Sequence, residues 1–221
     1  MAFSWVGSIR GSYSLEALER MMDGGDGRRP VLAIAAVEGP PGSVDTLIAR
    51  GADVNAWSKD GRQPIHSAVM KGNLDACRSL LAAGAYARSE GSKGYTPLHL
   101  VAHAPQNRKA IVDLLVEAGA DVHATEQTGN TPLHLAARHS NGEVAQALLV
   151  HGANMETLNR KGEAPRDVFA KFLPDPGTLS AKDVFQAYDR HQALGKIAQG
   201  CNDDMADVEE VRARRSRGRH M

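Results

Sequence analysis

The chain has 221 residues, of which 42% are hydrophobic and only 5% aromatic, and its 26 basic and 26 acidic side chains cancel. That balance excludes a surface built as a whole to grip nucleic acid or an anionic membrane, while the apolar share is enough for a continuous core of small side chains. Two cysteines, Cys77 and Cys201, are too few for a disulfide framework.

No apolar run approaches the roughly 18 residues of a membrane span, and residues 1–10 are too broken for a secretory apolar segment. A soluble chain in a reducing compartment is expected: the cytoplasm, with the nucleus as the alternative. In chain order, the first predicted element is a short helix with Ser14 as its N-cap. Leu18, Met21 and Met22 give it an apolar side before Gly24-Gly25 stops it.

From Pro30 onward the sequence repeats. Pro30, Pro64, Pro97, Pro132 and Pro165 follow at steps of 34, 33, 35 and 33. Gly51-Ala52, Gly84-Ala85, Gly119-Ala120 and Gly152-Ala153 keep the same beat, at 33, 35 and 33. A period of this length marks one small structural unit stacked on copies of itself.

The unit at 94–124 shows how each copy is built. Thr96 is an N-cap whose hydroxyl can accept from an amide of the first turn. Pro97 follows at the first helical position, where its missing N–H costs nothing. Leu98 and Ala102 then face a core at helical spacing. A second helix carries Ile111, Val112, Leu114, Leu115 and Val116 and ends at Gly119, a natural left-handed stop. The polar stretch 125–129 turns back into the next Thr-Pro. Counted from the stop glycines, Val44, Cys77, Val112 and Ala145 are equivalent, as are Leu47, Leu80, Leu115 and Leu148, and both columns are predicted core. Glycine to next proline is always 13 residues, whereas proline to glycine runs 21, 20, 22 and 20. The extra residues, around Pro40-Pro41 and at Ala104-Pro105-Gln106-Asn107, fall between the two helices. Beyond the repeats, Pro174-Asp175-Pro176-Gly177 breaks the chain and Ser180 opens a helical run to about Gln199. Asp203, Asp204, Asp207, Glu209 and Glu210 then precede Arg212, Arg214, Arg215, Arg217 and Arg219.

The segments Gly94-Tyr95-Thr96-Pro97-Leu98-His99, Gly129-Asn130-Thr131-Pro132-Leu133-His134-Leu135-Ala136-Ala137 and Gly51-Ala52-Asp53-Val54-Asn55-Ala56 resemble the ankyrin repeat family. The resemblance runs from residue 30 to about 170. It implies an all-α solenoid of stacked helix-loop-helix units, with β-hairpin-like fingers set across the paired helices. Units are expected at 30–60, 61–93, 94–128 and 129–161, with a partial one at 162–171. An N-terminal capping half-repeat at 1–29 and a C-terminal capping helix at 172–200 flank them, followed by a charged, flexible tail at 201–221. The first unit lacks Thr and His around Pro30, and the last has Arg166-Asp167 where the interior units carry Leu-His or Ile-His. Both are read as polar-faced end units.

Candidate chemistry is sparse. His66, His99 and His134 recur with the repeat, and the resemblance implies that each ties a helix start to the adjacent turn. His99 and His103 are four apart, a spacing that can bind zinc, but no third ligand follows. Cys77 falls in the core column, and Cys201 lies among acidic residues. Asn55 is read as a finger residue bonding its own backbone. No phosphate loop, nucleophile elbow or paired catalytic carboxylates occur. No catalytic, cofactor or metal site is therefore expected.

The resemblance further implies a partner-binding groove lined by finger tips and by the exposed side of each first helix. On the fingers these positions are Trp57, Lys59, Arg62, Glu90, Lys93, Tyr95 and Asn130; on the inner helices they are Met70, Lys71, His103, Arg138 and His139. Trp57, Met70, Tyr95 and Arg138 are residue types that concentrate binding energy. Basic side chains outnumber acidic ones there, so the expected partner is a protein with an acidic, partly apolar segment. The expected function is a non-catalytic interaction module, monomeric on its own: a scaffold, adaptor, inhibitor or effector. The alternative is a nucleus- or RNA-directed protein acting through the arginine-rich tail.

Overall fold

Every repeat proline starts a helix, and every stop glycine ends one. In a computed structural model describing residues 13–24 and 29–171, the helices are α1 (Leu15–Gly24), α2 (Val31–Glu38), α3 (Ser43–Ala49), α4 (Pro64–Lys71), α5 (Leu74–Ala82), α6 (Pro97–Leu100), α7 (Arg108–Glu117), α8 (Pro132–Arg138), α9 (Gly142–Val150) and α10 (Pro165–Lys171). The chain divides into two compact units, 1–181 and 182–221. The second unit, the helix expected at 172–200 and the charged tail all lie outside the described residues.

The inner helices α2, α4, α6, α8 and α10 pack side by side, and α3, α5, α7 and α9 form a second row behind them. Between the rows lie both predicted core columns. Leu47, Leu80, Leu115 and Leu148 are fully buried, as are Cys77, Val112 and Ala145. Burial pushes the Cys77 thiol up to about 12, which makes it an inert core side chain. The stop glycines Gly51, Gly84, Gly119 and Gly152 all sit at φ between 85° and 89°, the left-handed turn that a side chain disfavours. Across the second row Asp113 accepts from Lys109 at 2.7 Å and from His151 at 2.8 Å, joining α7 to α9. The Lys109 ammonium, then the His151 ring, hold the Asp113 carboxyl below its ordinary range.

The first helix seats on this stack. The Ser14 hydroxyl accepts the Ala17 N–H at 3.2 Å, and Leu18 is fully buried. The Tyr13 N–H donates to the Glu38 carbonyl at 2.9 Å, and Arg50 pairs with Glu19 at 3.1 Å.

The fingers are hairpin-like turns, and among the described residues none is a β-strand. The residue six before each proline closes its finger with one bond: Ser58, Gly91, Glu126 and Asn159 donate to the carbonyls of Arg62, Tyr95, Asn130 and Glu163 at 2.8, 2.8, 3.1 and 3.0 Å. Adjacent fingers share a single further backbone bond. Ser92, Gln127 and Arg160 donate to Gly61, Lys93 and Thr128 at 2.8, 3.0 and 3.0 Å. One backbone bond per junction is too little for a ladder.

The third unit departs from the others. Its inner helix α6 is a single turn, continued by a 3₁₀ turn over Val101–His103. Pro105 is the cause: a residue before proline is driven out of the helical region, and Ala104 sits at φ −63°, ψ 137°. At the same end, three asparagines staple each unit to the one before. Asn73, Asn107 and Asn141 donate to the carbonyls of Ala36, Gly72 and Ala102 at 2.9, 2.9 and 3.5 Å. Asn73 and Asn141 also cap their own helices by accepting from Ala76 and Val144.

Candidate functional site

The finger side of the stack is fixed by its histidines. Nδ1 of His66, His99 and His134 accepts the N–H of the residue before each proline, Gln63, Thr96 and Thr131, at 3.2, 3.2 and 3.1 Å. The hydroxyls of Thr96 and Thr131 lie 2.8 Å from the same nitrogens and donate to them. Nε2 therefore carries the proton, and it donates to a carbonyl of the next finger: Ser89, Asn130 and Glu163 at 3.2, 3.0 and 3.0 Å. A ring that accepts at one nitrogen and donates at the other is neutral. Burial pushes all three imidazoles below their ordinary value, and the carbonyls they meet do not reverse it. His99 has no nitrogen left for a cation, so its spacing to His103 has no chemical consequence.

Asp167 replaces the histidine in the last unit and keeps half of this arrangement. Its carboxylate accepts the Ala164 N–H at 2.9 Å. The second finger departs in another way, because Gly91 stands where the others carry Ser58, Glu126 and Asn159. An added Cβ would lie 3.0 Å from the Gly61 carbonyl oxygen and 3.1 Å from His66 Nε2. In the third finger, buried Glu126 accepts from the N–H groups of Thr128 and Asn130 at 3.0 and 3.1 Å and from the Asn130 amide at 2.9 Å. Burial pushes this carboxyl up, but these bonds and the Thr128 hydroxyl together hold it below its ordinary value.

Most of the partner-facing residues expected from sequence reach the surface. Trp57, Lys59, Lys71, Glu90, Lys93, His103, Arg138 and His139 are exposed; Arg62, Met70, Tyr95 and Asn130 are half-buried. Trp57 keeps 54% of its surface, with its ring centre 6.4 Å from that of His66. Leu158, at the same position in the last finger, is 62% exposed. Three residues are partly committed to the fold. Tyr95 packs edge-on against His99 at 5.9 Å, Arg62 pairs with Asp60 at 3.3 Å, and the Asn130 carbonyl oxygen Oδ1 accepts from Asn159 at 2.8 Å. A groove of about 300 Å³ runs between the last two fingers and α8, with Thr128, Asn130, Arg138 and Lys161 in its wall.

The chain matches the family described as Ankyrin repeats (3 copies) over residues 32–126 and again over 87–160. It belongs to the ankyrin repeat family. Among similar proteins is the human transient receptor potential cation channel subfamily A member 1, 35% identical over 100 residues. That alignment covers 44% of this chain but 9% of the channel, so the chain spans a small part of that relative's length. Among the described residues no helix is long and apolar enough to cross a membrane.

Asn55 does more in this ankyrin stack than bond its own backbone. Its N–H does donate to Asp53 Oδ1 at 2.9 Å, but its side chain reaches the next repeat. The amide donates to the Gly84 carbonyl at 3.0 Å and accepts the Tyr86 N–H at 3.1 Å. Tyr86 itself, 63% exposed, was not singled out from sequence. The signal was a broken column: Asp53, Asp121 and Asn154 each accept an N–H two residues on, and the second repeat has a tyrosine there.

Proposed function

We propose that this ankyrin stack is a non-catalytic module that binds an acidic, partly apolar segment of another protein on its finger and inner-helix face. Ankyrin repeats as a family mediate protein–protein interaction. The observation that carries the finer reading is Trp57, a large aromatic at a finger tip, more than half exposed. Lys59, Lys71 and Lys93 stand exposed on the same finger and inner-helix surface, with Asp60 and Glu90 as the opposing charges. An aromatic anchor on a surface that carries more cations than acids complements an apolar side chain flanked by carboxylates.

Affinity purification with the whole chain, followed by titration of the captured protein, tests this reading. Trp57→Ala should weaken binding by at least about 2 kcal/mol while leaving the melting temperature nearly unchanged. Lys59→Glu with Lys93→Glu should weaken it further and remove most of its salt dependence. Val150→Ser, on the second helical row, should change nothing. Equal affinity for wild type and Trp57→Ala would move the binding surface elsewhere.

A further inference from the structure

The irregular third repeat leaves a cleft. Asn107 turns the inserted loop back toward the second repeat, its amide on the Gly72 carbonyl at 2.9 Å. On the opposite side, toward the fourth repeat, a cleft of about 730 Å³ opens beside His103 and His139. The two ring centres are 4.3 Å apart, with planes inclined at 65°. Unlike His66, His99 and His134, neither ring is held by a hydrogen bond among the described residues, and both are exposed. Arg108, Ser140 and Gln146 line the other walls, with Arg108 Nε donating to the Ala104 carbonyl at 2.6 Å. Glu143 is the one carboxylate lining the cleft, and its Oε1 accepts the Lys109 N–H at 3.3 Å.

We propose that His103 and His139 form an oxyanion site at the junction of the third and fourth repeats, which takes a carboxylate of the binding partner. The protein-binding reading supplies only the source of that carboxylate; the site itself belongs to this chain alone. Two imidazoles without internal partners, facing donors across a cleft, match an acceptor better than a cation. A cation would also meet Arg138, beside His139 on α8, and Arg108 and Lys109 on α7. Among the described residues Glu143 on α9 is the one acid in the cleft wall, Asp113 on α7 is taken up by Lys109 and His151, and His99 on α6 is already spent on Asn130. Burial, then the Arg138 charge, pushes the His103 ring down; burial, then the His103 ring and Arg138, do the same to His139. An anion in the cleft, bonded at the edges of both rings, offsets that repulsion and favours their protonated forms. Binding at this site therefore tightens as pH falls, through charge-assisted bonds from both rings.

The full chain can be titrated with sodium acetate and, separately, inorganic phosphate, while the histidine ring protons are followed by NMR on either side of about pH 6. Acetate should produce saturable shifts at His103 and His139 on the acid side, raise the apparent pKa of both, and leave exposed His123 unmoved. His103→Gln or His139→Gln should abolish the shift at the remaining ring, and Glu143→Gln should tighten acetate several-fold. No saturable shift, an equal shift at His123, or binding of phosphate but not acetate overturns the assignment. If Trp57→Ala abolishes partner binding while acetate leaves both rings unmoved, this inference fails and the groove reading stands. If acetate binds but Trp57→Ala is silent, the groove reading fails alone.

Discussion

At the scale of single residues, the repeated histidine sets the acid sensitivity of the fold. His99 joins its helix start to the next finger, through the Thr96 N–H and the Asn130 carbonyl. Replacing it with alanine leaves the Thr96 N–H unpaired, takes one of two bonds from the Asn130 carbonyl, which keeps the Glu126 N–H, and empties the buried ring's space, which should cost about 2–4 kcal/mol, measured by urea unfolding. The pH dependence follows from the same bonds. The folded rings of His66, His99 and His134 lie below the ordinary 6.5, so below that pH the unfolded chain binds protons that the folded chain refuses. Stability is therefore full above pH 6.5 and is lost as pH falls through the folded values. Wild type should lose melting temperature between neutral and mildly acid pH, and His99→Ala should lose less over the same range. Identical pH slopes would mean that the ring is not neutral in the fold. Gly91→Ala is a second residue-scale case, because the added methyl meets the Gly61 carbonyl and the His66 ring. It should cost about 1–3 kcal/mol, whereas Gly42→Ala, with nothing within 4 Å of its added Cβ, meets only the backbone strain of φ 77°. The histidine role was legible because it recurs at the repeat period. The Gly91 constraint was not, since it depends on a ring from the neighbouring repeat.

At the scale of elements, sequence reasoning found the helices and missed what fastens them. The proline and glycine columns placed the helix starts and stops because both residues act locally, one by fixing φ and the other by allowing the left-handed turn. The buried leucine column was equally plain, and Leu115→Ala or Leu148→Ala should each cost about 2–5 kcal/mol. Asn73, Asn107 and Asn141 also recur with the repeat, yet their work is done on the preceding unit, which no local rule reveals. Each amide reaches a carbonyl at the end of an inner helix, and Asn73 and Asn141 cap as well. Asn73→Ala should therefore cost more than a cap alone, about 1.5–3 kcal/mol. Asn73→Asp separates the two contributions, since a carboxylate still caps but cannot donate to Ala36. If Asn73→Asp is as stable as wild type in urea titration, the staple contributes nothing.

At the scale of the whole stack, stability should pass from repeat to repeat and fail first where the contact is thinnest. Each unit touches only its neighbours, so total stability is close to a sum of unit and junction contributions. The inner row is most closely packed where α2 meets α4 and α8 meets α10, and least where one-turn α6 lies between α4 and α8. The cleft beside His103 and His139 lies at the end of the same shortened helix. The proposed anion site and the thinnest packing thus fall on the same irregular repeat. The insertion was visible in the sequence as a longer proline-to-glycine interval, but its effect on α6 was not, because Leu98 and Ala102 still keep helical spacing. Native-state hydrogen exchange reads this directly. Amides of α6 and of the Val101–His103 turn should exchange through an opening of lower free energy than those of α4 and α8. Leu98→Ala should lower that opening energy further while affecting α2 least, since two junctions lie between. Equal protection of α4, α6 and α8 would show that the stack opens as one unit and that the third repeat is no seam.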